Sequence, residues 1–464
     1  MSPVDPCLML LYFAATFVWA VRRARQDKGD DAKVDYLLAG RRLTLPAFVA
    51  SMVSSYYGGV LGVGEYSFKY GLSNWLVFGL PYYLSAALFA VFLAGRARQA
   101  QALTLPEQIR ANYGPGPGLI ASAIVFATSL PAAYLVALSV LIQVVFGVPL
   151  LAAMIAAIAF AVLTIWRAGF RAVVRSNALQ FALMFGGFLV TLPLLASEYG
   201  TLDFLTANTP ASHWTWNGGR PLQSILVWYF IALSTLVEPL FYQRCFAAKS
   251  PRVARLGLFA SIGCWITFDF LSTFTGIYAR ALLTDLPLTR AAEAYPLMAQ
   301  RFLPAGLCGL FFISMAATVL STLDGGLFVS ASTLGRDLLG RTRRFQARIL
   351  WATRLGLIAS ALLSLTLAWL SQSVVALWHG LGSISTTTLL LPVLGAFLPR
   401  LKMSPRGATA HMTLVLTLTS AWVILLNLKG APPFGIEPIF VGLGLGILIW
   451  LIDRICFLRF SARH

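Results

Sequence analysis

The chain has 464 residues, of which 58% are hydrophobic and only 11% charged, with a mean hydropathy of +0.77. A soluble domain carries roughly 25% charged residues, so the composition excludes a soluble enzyme and points to an integral membrane protein. The net charge of +18 suggests a nucleic-acid partner only until the positions of the charges are considered.

Apolar runs near the ~20 residues needed to cross a bilayer predict thirteen spans, at about 5–21, 45–68, 73–94, 117–146, 149–166, 176–197, 223–243, 257–279, 306–332, 349–371, 374–398, 408–428 and 437–455. The short connections predict one compact all-α membrane domain over 1–464. Of the 35 Lys and Arg residues, six (Lys69, Arg220, Arg280, Arg290, Arg301 and Lys429) fall on one side of the bundle and 29 on the other. That asymmetry is the positive-inside rule. It predicts an outside N-terminus and a cytoplasmic C-terminus in a plasma (bacterial inner) membrane, with the lipid bilayer and no nucleic acid as partner. Oligomeric state is not legible.

The first span is short and carries Asp5, which resembles a signal peptide. It lacks a basic leading region, however, and Arg22-Arg23 follow it in place of a small-residue cleavage site. Within the second span, the stretch Ser51 to Glu65 places Gly58, Gly59, Gly62 and Gly64 within seven residues. Glycine costs ~1 kcal/mol in a helix interior. Two explanations stay open: close packing against a neighbour, or a discontinuous helix whose freed carbonyls at Ser54 and Tyr57 coordinate an ion. Inverted-repeat transporters break their helices at matching positions. The seventh span, with Ser234, Thr235, Glu238 and Pro239, is the expected counterpart. The organisation predicted is therefore 1–44 for an extra helix and loop, 45–200 and 221–400 for two repeats, and 401–464 for two further helices.

Polar residues inside spans are costly and usually functional. Glu238, near Arg244, predicts a structural ion pair. Asp269 is deep and must face the bundle. Ser321 and Thr322 are adjacent hydroxyls that either bond back to the preceding turn or reach a small hard cation together with carbonyls of a facing helix. Asp324, one turn on, is either a helix-orienting carboxylate or part of an ion path. His379 is an interfacial histidine or a proton relay, and the run Ser383 to Thr388 bonds across helices or lines a polar path. The five cysteines, Cys7, Cys245, Cys264, Cys308 and Cys456, are scattered and form no metal spacing or disulfide framework. No nucleophile–base pair supports an enzyme.

Six segments in order carry a resemblance: Asp35-Tyr-Leu-Leu-Ala-Gly-Arg41, Thr104-Leu-Pro-Glu-Gln-Ile109, Gly169 to Gln180, Gln243 to Ser250, Ala316 to Asp324, and Pro399 to Ala408. Together they resemble the sodium/solute symporter family, sodium-coupled carriers of sugars, proline, pantothenate, monocarboxylates and sialic acid. The resemblance implies a leucine-transporter-type fold of five plus five helices with one helix before and two after. It implies Na+ as coupling ion, held by the carbonyls of Ser54, Tyr57 and Thr318 and the hydroxyls of Ser321 and Thr322. Thr318 stands where a small Ala is usual, which a main-chain ligand tolerates. Asn177 stands where the family commonly has an Asp linked to sodium exit, which argues against a second ion.

The expected function is sodium-coupled import of a small polar organic solute by alternating access. The expected pocket comprises Tyr56, Gly58, Trp228, Tyr229 and Ser234, with Asn177, Asp269 and Asp324 on an exit or coupling path. No arginine is visible at the break to demand a carboxylate, and the sequence does not specify the solute. A proton-coupled carrier relying on Asp269 or His379 is the alternative. A non-transporting sensor is another; against it, the chain ends about nine residues after its last predicted span with no kinase or receiver domain.

Overall fold

A computed structural model describes residues 2–22, 32–167, 169–342, 345, 348–371, 374–430 and 432–461. Among them every regular element is a helix, apart from one isolated parallel bridge between Leu43 and Ala248. Ten helices are long and apolar enough to cross a membrane, and one bent pair adds an eleventh. Val4–Trp19 and Leu150–Ile165 are shorter apolar helices. Their positions follow the thirteen predicted runs, and three of those runs are interrupted.

The first interruption divides Leu45–Tyr56 from Val60–Tyr70, with a bend of 58°. Tyr57 leaves helical geometry at φ −98°, ψ 19°, and the Gly58-Gly59 pair follows. The second lies in Leu222–Ala247, where Ala232–Val237 tightens to 3-10 geometry and Glu238 is extended at φ −66°, ψ 113°. Pro239 accounts for this, because proline disfavours helical geometry at the residue before it and has no N–H to continue the ladder. The Glu238 side chain caps the new helix by accepting from Leu240 N–H. The third was expected to be continuous: 117–146 divides into Pro115–Thr128 and Ala132–Phe146 around Ser129 to Pro131. Pro131 is again the breaker.

The Leu307–Ser332 helix runs through the centre of the bundle, and nearly all its side chains are buried. Phe170–Tyr199 packs along it at very short range: a Cβ on Gly187 would lie 2.4 Å from Ser314 Cβ. Asp5, the residue that weakened the first span as a membrane helix, is buried here. Its Oδ1 accepts from Gly306 N–H and Gly309 N–H, both at 2.9 Å. An anion at a helix N-terminus is favoured by the helix dipole, so Asp5 fastens the first helix onto the central one.

The two broken helices are tied together on their basic side. Leu43 N–H donates to Ala247 O at 3.0 Å and Lys249 N–H to Leu43 O at 2.9 Å. Nearby, Arg336 reaches Glu107 Oε1 at 2.6 Å and Thr104 Oγ1 at 3.2 Å. Burial pushes the Glu107 carboxyl up, but the Arg336 guanidinium outweighs it and holds the group below its ordinary value.

Candidate functional site: an oxygen cage beside an acidic aromatic cavity

At the first break, oxygens from two helices converge. Ser321 Oγ lies 2.6 Å from Ser54 O and 2.7 Å from Thr318 O, and its single proton is donated to one or the other. Thr322 Oγ1 lies 3.4 Å from Ser54 O and 3.3 Å from Thr318 O. Each hydroxyl thus lies within hydrogen-bond distance of its own helix and of the broken one. Four of the five expected sodium ligands form one cluster. The fifth, the Tyr57 carbonyl, accepts from Val60 N–H at 3.2 Å across the break. Hydroxyl protons rotate freely, so these contacts can turn their lone pairs toward a cation without moving a heavy atom.

Asn177 donates through Nδ2 to Ser51 Oγ at 2.9 Å and Ser55 Oγ at 2.7 Å, on the helix that carries Ser54. Arg244 Nη2 donates to the same Ser55 Oγ at 2.7 Å. Arg244 is fully buried, its guanidinium over the Phe170 ring. The sequence placed it at a basic boundary with no arginine near the break; the structure corrects that. The only hint was its place in the segment 243–250. Glu238 is corrected too: it makes no ion pair with Arg244 among the described residues, and it caps a helix and faces a cavity. Asp324 is buried on the central helix, within electrostatic reach of Tyr12, and its Oδ1 has no hydrogen-bond partner among the described residues. The His379 side chain lies outside the described residues.

Beside the cage is a cavity of about 240 Å³. Of the residues assigned to a pocket, Tyr56, Trp228 and Ser234 line it, and so does Asp269. Gly58 and Tyr229 do not. Gly58 faces the cage, where a Cβ would lie 2.5 Å from Thr322 Oγ1. Tyr229 and Trp228 both pack against Tyr66, Val77 and Ile225, but consecutive helical residues point ~100° apart and only Trp228 reaches the cavity wall. Sequence reasoning missed Tyr82, Tyr83 and Trp265 in the wall; paired tyrosines inside a span were the available signal. Tyr57 and Tyr83 donate their hydroxyls to Asp269 Oδ1 and Oδ2 respectively. Tyr56 O–H meets Thr235 Oγ1 at 2.9 Å, joining the two breaks directly.

The sodium:solute symporter family matches residues 36–414. The chain belongs to that family. Among its relatives, the high-affinity choline transporter 1 of Drosophila melanogaster is 23% identical over 399 residues, covering 81% of this chain and 63% of that protein. The sodium/myo-inositol cotransporter 2 of Mus musculus is 24% identical over 383 residues, covering 72% of this chain and 56% of that protein. This chain thus spans less than two thirds of the length of either. Among solved structures, a Na+-coupled sialic acid symporter in a substrate-bound outward-open state superposes with a TM-score of 0.78 at 16% identity, covering 97% of this chain and 98% of that one. A nucleobase-cation-symport-1 family transporter gives 0.54 at 14% identity, covering 92% and 94%. These likenesses establish a multi-pass, all-helical bundle of the leucine-transporter type.

Proposed function

We propose that this symporter-family chain is a sodium-coupled secondary carrier that imports a small organic solute by alternating access. The observation that carries the reading is the convergence of Ser321 Oγ and Thr322 Oγ1 on the Ser54 carbonyl at the first break. Unwound carbonyls and helix C-terminal ends are what sodium-coupled carriers use to coordinate the ion. Sodium at this cage joins the Leu45–Tyr56 helix to the central helix. Because Tyr57 is both at the break and in the cavity wall, ion binding and solute binding act on one segment.

The energy is sufficient. One charge crossing 100 mV supplies ~2.3 kcal/mol and a tenfold sodium gradient adds ~1.4 kcal/mol. Together these concentrate a neutral solute about four hundredfold at one-to-one stoichiometry. The basic side of the bundle faces the cytoplasm in this reading, which places the Leu43–Ala248 bridge and the Arg336–Glu107 pair on the inner face beneath the cavity. The two broken helices open the two repeats, 45–200 and 221–400.

Uptake by proteoliposomes tests the proposal, with choline, myo-inositol and sialic acid as labelled solutes. One of them accumulates only when a sodium gradient is imposed, and Ser321→Ala removes that dependence. Accumulation driven by a proton gradient in the absence of sodium transfers the function to a proton carrier. Specific solute binding without accumulation under either gradient makes the protein a sensor.

A further inference from the structure

The cavity wall has an unbalanced chemistry. Two carboxyl groups, Asp269 and Glu238, line it, and among the described residues no Lys, Arg or His does. Neither group forms an ion pair within 4 Å among the described residues; Glu238 lies within electrostatic reach of Arg244, and Asp269 has no such neighbour among the described residues. Both oxygens of Asp269 accept from tyrosine hydroxyls, so the two donors that solvate it leave its charge uncancelled. Around them stand the rings of Tyr56, Tyr82, Tyr134, Trp228 and Trp265. Tyr56 and Trp265 lie 5.3 Å apart between centroids, tilted by 49°, and both contribute to the wall.

Ring faces carry the negative end of the aromatic quadrupole, and an ammonium group is the ligand that such faces attract, most strongly for Trp and Tyr. A carboxyl group behind the rings adds a monopole of the same sign. We propose that the solute is a small organic cation, an alkylated ammonium bearing a hydroxyl, held between these aromatic faces with Asp269 as its counter-charge. This deepens the symport reading and rests on it. At an effective dielectric constant of ~20, a unit charge ~6 Å from a carboxylate changes binding by about a hundredfold. The same group therefore attracts an ammonium and repels a carboxylate solute. Size agrees, since the cavity of about 240 Å³ falls below the ~300–1,000 Å³ typical of drug-sized ligands. The polar end of the solute finds the Ser234 hydroxyl and the Ser385 hydroxyl in the same wall.

The transport consequence is electrical. A cationic solute adds its own charge to that of sodium, and each charge moved across 100 mV is worth about fortyfold in limiting accumulation. The test uses the intact protein in proteoliposomes at a clamped potential, with current, labelled sodium and labelled choline followed together. Charge moved per choline is expected to exceed sodium moved per choline by one. The uncharged isostere of choline, with a tert-butyl group in place of the trimethylammonium, is expected to compete at least about thirtyfold more weakly. Asp269→Asn is expected to raise the half-saturating choline concentration at least about tenfold.

Charge and sodium fluxes that match one to one, equal competition by the uncharged isostere, or sodium-driven uptake of sialic acid overturns the proposal and leaves sodium symport standing. The first two readouts use the wild-type protein, so a folding failure in the variant does not remove the test. An Asp269→Asn variant that folds and keeps the wild-type half-saturating choline concentration also overturns it. Choline accumulation without any sodium requirement sinks the symport reading instead.

Discussion

Gly58 sits so close to Thr322 that a Cβ placed on it would lie 2.5 Å from the threonine Oγ1 and 2.8 Å from Tyr134 Cδ1. The glycine is therefore required by contact, at the point where the broken helix touches the cage. Overpacking of this kind costs ~1–3 kcal/mol, and here it acts on a candidate ion ligand. Gly58→Ala is expected to raise the sodium concentration giving half-maximal uptake by roughly tenfold or more, with the Tm in detergent lowered by a few degrees. Sodium activation curves of the two proteins check it; superimposable curves would remove Gly58 from the cage.

The two alcohols make separable predictions. Ser321→Ala deletes an oxygen 2.6 Å from the Ser54 carbonyl, and an unmet buried group costs ~1–3 kcal/mol. Sodium affinity is expected to fall by about tenfold to a hundredfold. Thr322→Ser keeps its oxygen and is expected to stay near wild type, whereas Thr322→Val, which matches the threonine in shape, behaves like Ser321→Ala. Sodium-dependent thermal shift measures all three without any assumption about the solute.

Arg244 links the second broken helix to the first through Ser55, and Asn177 meets the same oxygen. Hydrogen bonds to charged groups contribute ~1.5–3 kcal/mol. Arg244→Met is expected to lower the melting temperature by several degrees. Arg244→Lys is only a partial rescue, because an ammonium cannot bond Ser55 and the Leu240 carbonyl from one planar fork. Thermal denaturation of the purified protein ranks the three.

Glu107 gives the pH dependence. Its carboxyl is held below its ordinary value, so its stabilising contribution is complete above the unfolded value of ~4.3 and is lost as pH falls through the lower folded value. The side chain is 38% exposed, so solvent screening keeps the effect modest. Glu107→Gln is expected to lower stability near neutral pH and to flatten the acid limb of the stability profile below about pH 5. Melting curves between neutral and acid pH measure both.

The membrane spans were legible because hydropathy reports burial in lipid directly, and their boundaries differ from the structure by a few residues. Two breaks were legible because Gly58-Gly59 and Pro239 act on their own backbone. The break at Ser129 to Pro131 carried the same kind of signal in a more apolar setting, and the long flanking runs concealed it. What the sequence could not reveal was direction. Trp228 and Tyr229 are equivalent in a linear reading and both pack on the Tyr66 and Val77 cluster, yet only Trp228 lines the cavity. Arg244 shows the same limit: its composition reads as boundary charge, and its burial depends on Ser55, 189 positions away.

The Leu43–Ala248 bridge has a consequence for how this bundle tolerates mutation. Both of its bonds use main-chain groups, from Leu43, Ala247 and Lys249. No side-chain replacement at these positions other than proline, at 43 or 249, deletes a donor. The clasp between the two broken helices is thus insulated from sequence drift, which matters where relatives stand at 22% to 25% identity to this chain.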